Sequence, residues 1–184
     1  ESITNIAMQV AAMNPQYISR DEISADELAK MKEITIDSAL NDPFSLPKPV
    51  LSKLIEKAVA GVWSAEDVAI YEEKKSNMNF LPNFLSKEAK AQLAEIACAD
   101  KEEISGNKIF SGLVEGRISK QMKEICLLDQ VYVKAEDGKQ TVAAYLKSVN
   151  PALKIAKFVR FEVGEGMEKK NEDFAAEVAK QMNV

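Results

Sequence analysis

No histidine occurs among the 184 residues, which removes the commonest general base and the commonest zinc ligand. Only two cysteines are present, Cys98 and Cys126, and they stand apart rather than in a Cys-x-x-Cys spacing, so they propose neither a metal clip nor a redox pair. Both lie in apolar company, Ile96-Ala97-Cys98 and Ile125-Cys126-Leu127, and read as small buried hydrophobes in keeping with a reducing cytoplasm. No uncharged apolar run approaches the roughly 20 residues that span a bilayer, so no membrane partner is expected. A concentrated positive surface is also missing: the formal net charge is −5 and basic residues are scattered among acids. Bare nucleic acid is therefore not an expected partner. The seven glycines do not make a phosphate loop. Gly164-Glu165-Gly166 lacks the Lys-Ser/Thr pair and sets an acid where phosphate would sit, so it reads as a turn. Asp21, Glu22, Asp26 and Glu27 gather at a predicted helix N-terminus, where carboxylates are favoured without any metal. The expectation is a protein that is not an enzyme and has no cofactor and no metal.

What is present is the composition of a folded chain. Hydrophobic residues make up 46% and charged residues 29%, enough to bury one core, with room at this length for a helical domain beside it. Ile3, Ile6, Ala7 and Val10 are helically spaced over residues 3–13, and Asn14-Pro15 ends that helix. Ser24-Ala25-Asp26-Glu27 is a capping box opening a helix that runs to about Leu40. From Leu51 the pattern is cleaner, with Leu51, Leu54, Ile55, Ala58, Val59, Val62 and Trp63 on one face. Ser64 caps a short helix through Lys75, another helix covers 87–99, and 107–124 repeats Phe110, Val114, Ile118 and Met122 at four-residue intervals.

The alphabet then changes. Val131-Tyr132-Val133 is β-branched and aromatic, Asp137-Gly138 is a turn pair, and Thr141 precedes the helically spaced Val142, Tyr145, Leu146 and Val149. Val159, Phe161 and Val163 alternate with Phe158, Arg160 and Glu162, the period of a half-buried strand. Gly164 and Gly166 turn the chain, and Asn171 reads as the N-cap of a last helix carrying Phe174, Val178 and Met182. The predicted fold class is α+β: a small antiparallel sheet layered with helices, plus an inserted all-helical domain.

Three segments, in order, carry a family resemblance: Ile6-Ala7-Met8-Gln9-Val10-Ala11-Ala12-Met13-Asn14-Pro15, then Glu115-Gly116-Arg117 with Lys120 and Leu127-Leu128-Asp129-Gln130, then Phe158-Val159-Arg160-Phe161-Glu162-Val163-Gly164-Glu165-Gly166. The chain resembles the elongation factor Ts family, the guanine nucleotide exchange factors of elongation factor Tu. The resemblance implies a C-terminal core subdomain over 1–23 and 123–166, a helical dimerisation or insertion domain over 24–122, and a C-terminal helical module over 167–184. It implies elongation factor Tu as partner, with contacts from Val133 and Lys134 at a strand end and from Phe174 and Val178 on the last helix. A homodimer is a further possibility, with Leu51, Leu54, Ile55 and Trp63 as its face; the plainer alternative is that this face is core. The Thr-Asp-Phe-Val exchange motif of the family is absent from the sequence. The expectation is thus a C-terminal piece of an exchange factor, cytoplasmic, that keeps partner binding without the exchange motif. A helical dimerisation scaffold with no exchange activity is the alternative.

Overall fold

The computed structural model describes residues 1–166, which form eight α-helices joined by short 3-10 turns. Helix α1 (Ser2–Met13) ends at Asn14, whose left-handed backbone (φ 45°) returns its N–H to the Val10 carbonyl at 3.1 Å. Asparagine is among the few residues that take this conformation readily. Helix α2 (Ala25–Asn41) opens on the capping box: Ser24 Oγ accepts from Glu27 N at 3.2 Å while Glu27 Oε2 accepts from Ser24 N at 3.1 Å. Only its far end is buried, at Ala39 and Leu40; Leu28 and Ile34 face solvent.

Helices α3 (Lys48–Val59), α4 (Ala65–Lys74), α5 (Lys87–Ala99), α6 (Lys101–Ser105) and α7 (Lys108–Ile125) complete the larger of two apolar cores. There α5 packs on both α2 and α3, and α7 packs on α2. Phe110, Leu54, Ile55, Leu81 and Leu93 are fully enclosed. The proposed dimer face lies inside this core: Leu51, Leu54, Ile55 and Trp63 are 4%, 2%, 0% and 7% exposed. The face is already covered by the chain's own helices, so the core alternative describes these four residues. Cys126 is buried and its thiol is pushed up by that burial, whereas Cys98 is exposed, contrary to its apolar sequence setting.

The smaller core joins α1 to helix α8 (Val142–Val149) through Val10, Leu127, Tyr132, Val142 and Leu146. The two cores meet where Tyr17 lies against Cys126 as an isolated parallel bridge and Leu127 N donates to the Tyr17 carbonyl at 2.8 Å.

The expected antiparallel sheet is not formed among the described residues, which are helical. Extended pairing is confined to Tyr17 with Cys126 and Val131 with Thr141. Residues 154–162 take no regular secondary structure and pair with no described neighbour, and residues 163–166 form a turn in which Glu165 N donates to the Glu162 carbonyl at 3.1 Å. Alternation dictates which side of a strand is apolar, whereas a sheet also requires a second segment to share backbone hydrogen bonds. Nothing among residues 1–166 supplies it.

One buried carboxylate sets how α4 and α5 meet. Asp67 accepts from Ser86 N at 3.0 Å, from Ser86 Oγ at 2.9 Å and from Ser64 Oγ at 2.9 Å, linking the caps of both helices. The Ser86 amide foremost, then the two hydroxyls, hold its carboxyl below the usual range against the opposing effect of burial. A carboxyl lowered on folding stabilises above its unfolded value of about 3.9 and loses that contribution as pH falls through its folded value. Asp67→Ala is expected to cost about 2 kcal/mol near neutral pH, with the gap to the parent narrowing in urea titrations repeated below the carboxylate range.

Candidate partner-binding surface

The strand-like segment after α7 is held at the surface by a side chain. Gln9 points inward from α1 and is fully buried. Its Nε2 donates to the Val131 carbonyl at 3.0 Å and to Gln130 Oε1 at 3.2 Å, and its Oε1 accepts from Val133 N at 2.8 Å. One primary amide thus gives residues 131–133 the donor and acceptor that a neighbouring strand would give. Gln130, also buried, donates from Nε2 to the Glu124 carbonyl at 2.6 Å, tying the segment to the end of α7. On the other side Tyr132 N donates to the Gln140 carbonyl at 2.8 Å and Val142 N to the Gln130 carbonyl at 3.0 Å.

This clamp sorts the side chains. Tyr132 turns inward and stacks on Tyr145 with ring centroids 4.1 Å apart and planes 13° from parallel. Val131 and Val133 turn outward, and Val133 is 45% exposed. Lys134 is exposed, with Nζ donating to Asn5 Oδ1 at 2.7 Å, and Asn5 Nδ2 reaches the Tyr145 hydroxyl at 3.4 Å. Burial, first of all, raises the Tyr132 phenol; the Asn5 hydrogen bond, first of all, lowers that of Tyr145. Beside Lys134 opens a broad depression of about 850 Å³, lined among others by Asn5, Lys139, Thr141 and Tyr145.

Of the residues singled out from sequence, Val133 and Lys134 therefore stand side by side at the surface. Phe174 and Val178 lie outside the described residues. Leu51, Leu54, Ile55 and Trp63 belong to the larger core. Sequence reasoning missed Gln9 and Gln130 as the residues that build the surface. A signal was available, since Gln9 stands one helical turn after Ile6 and next to Val10 of the apolar stripe, and a polar group at a core position needs partners. Among the described residues no group of three or more His, Cys, Asp or Glu side chains could hold a metal, and no helix is long and apolar enough to cross a membrane. The surface presents the apolar side chain of Val133 beside the ammonium groups of Lys134 and Lys139.

The family described as Elongation factor TS matches the chain over residues 1–73 and 66–165. Among curated proteins, Elongation factor Ts of Clostridioides difficile strain 630 is 34% identical over 180 residues, covering 97% of this chain and 39% of that protein. Elongation factor Ts of Finegoldia magna is 35% identical over 182 residues, with 97% and 57% covered, and that of Alkaliphilus metalliredigens 34% over 182 residues, with 98% and 56% covered. The chain thus spans between 39% and 57% of the length of these three relatives. No solved structure matches it.

Proposed function

The chain belongs to the elongation factor Ts family, and from that premise we propose that it is a cytoplasmic translation factor piece that binds elongation factor Tu through Val133 and Lys134. The observation that carries this reading is the Gln9 clamp, which holds Val133 outward on a fixed backbone. An exchange factor of this kind needs no reactive group. It binds the nucleotide-free partner better than the nucleotide-bound one, and that difference in affinity drives GDP release. Asp-Phe-Val is absent from this sequence, so binding is expected without strong exchange.

The test is to add the chain to elongation factor Tu loaded with GDP, following complex formation and nucleotide release separately. Measurable binding is expected, with release close to the spontaneous rate. Val133→Asp places a charge in the apolar contact while keeping the backbone N–H that Gln9 accepts, so the fold is retained and affinity falls about tenfold or more. Vigorous exchange by this chain would overturn the assignment of exchange to the absent motif. Binding indifferent to Val133→Asp would move the contact elsewhere. The alternative of a helical scaffold draws on the self-contained larger core and predicts no complex at any concentration.

A further inference from the structure

Val133 and Lys134 are the two central residues of a tight turn, closed where Ala135 N donates to the Tyr132 carbonyl at 2.9 Å. Two side-chain amides of α1 serve this turn. Gln9 fixes the backbone at Val133. Asn5 stands one helical turn earlier, on the same face of α1, and its Oδ1 accepts from Lys134 Nζ at 2.7 Å. Asn5 is half-buried and is itself held, since its Nδ2 donates to the Tyr145 hydroxyl at 3.4 Å and Tyr145 is stacked on Tyr132. The exposed Lys134 side chain thus ends on an acceptor whose own position is set by a second hydrogen bond.

That acceptor is neutral, so the ammonium keeps its full charge for another group. Lys57, Lys74, Lys75 and Lys101 each ion-pair with a carboxylate. Lys134 does so with none among the described residues. Of the two acids that line the depression beside it, Glu136 makes no ion pair with it. Asp137 is engaged by its own turn, its Oδ1 accepting from Lys139 N and Gln140 N at 2.9 Å each. An ammonium has three N–H donors, and Asn5 takes one. Two donors and the charge remain beside the apolar Val133.

We infer that Asn5 is a positioning residue, which orders the Lys134 ammonium in advance for a carboxylate of the bound partner. The inference rests on the reading that Val133 and Lys134 meet elongation factor Tu. A lysine side chain is rich in rotamers, and immobilising it at an interface opposes binding. Asn5 removes part of that freedom before the partner arrives. Gln9 and Asn5 act on adjacent residues, so one face of α1 fixes both the apolar and the charged half of the contact.

Two measurements test this, one of them without the partner. In the chain alone, carbon relaxation at the lysine Cε positions should show Lys134 more restricted than Lys139, which lines the same depression. Asn5→Ala should remove that difference and leave the urea midpoint near the parent's. Against elongation factor Tu, Lys134→Met keeps a long stem, loses the charge and should weaken binding about tenfold. Asn5→Ala should weaken it about threefold while Lys134 is present and not at all in the Lys134→Met background. An Asn5 that only supported the fold would weaken both backgrounds equally, and that result overturns the inference. A Lys134 as mobile as Lys139 in the parent overturns it too, while leaving the contact reading in place. A complex indifferent to Lys134→Met, or no complex at all, defeats the contact reading and the role of Asn5 with it.

Discussion

Replacing Gln9 with leucine is expected to lower stability by about 3 kcal/mol and to release the segment that carries Val133. The substitution keeps a side chain of similar reach and removes only its polar end. It leaves Val133 N–H, the Val131 carbonyl and Gln130 Oε1 without the partner each now has. A buried polar group deprived of its partner costs about 1–3 kcal/mol; Val133 N–H and Gln130 Oε1 lie deepest, while the Val131 carbonyl can be met by water. Urea unfolding would give the magnitude, and amide exchange would give the place, with Val133 N–H exchanging much faster than the amides of α7. Gln9→Glu is the informative companion. Its carboxylate can still accept from Val133 N but cannot donate to Val131 or Gln130, so only the protonated acid regains a donor, with one O–H for the two N–H bonds that Gln9 makes. A carboxyl raised on folding stabilises at low pH and loses that contribution as pH rises through its folded value. Gln9→Glu should therefore recover toward the parent on acidification, and Gln9→Leu should not. Equal loss for both at every pH would mean that the clamp is incidental packing.

That clamp explains where the sequence was legible and where it was not. Short-range signals carried through: Ser24 with Glu27, Ser64 and Thr141 cap the helices they precede, because a cap is decided within four residues. The stripe from Leu51 to Trp63 announced a covered face but not what covers it, since periodicity is a property of one helix and burial a property of two. The sheet failed for the same reason at longer range. Val131–Val133 has strand composition and outward valines, yet a glutamine 122 residues earlier, acting on Val131, occupies the neighbouring-strand position. The segment 154–163 has the alternation and no described neighbour. A side chain standing in for a strand leaves no periodic trace; the only hint was an amide at an inward helix position. Phe174 and Val178, in the last eighteen residues of the chain, fall outside the described residues, so the second half of the expected contact rests on resemblance alone.

Trp63→Ala is expected to be the most damaging single change outside that surface, costing about 3–5 kcal/mol, the range for emptying a buried aromatic site. The indole is 7% exposed, its Nε1 donates to the Ala89 carbonyl at 3.0 Å, and its ring meets the edge of Tyr71 at 6.2 Å between centroids. Truncation removes all three relations at once and leaves a cavity between the end of α3 and the start of α5. Against a total of about 5–15 kcal/mol for a folded domain, this exceeds half of the smaller value, and the urea midpoint should fall accordingly. Trp63→Phe fills most of the volume and loses the N–H donor, so it should cost about 1–2 kcal/mol and remain folded for sedimentation. Its mass should equal the parent's, whatever that is, because residue 63 faces the chain's own interior. A residue on a self-association face would behave in the opposite way, with a change of mass and little change in urea midpoint. The two measurements on one conservative variant therefore separate core from interface at this position.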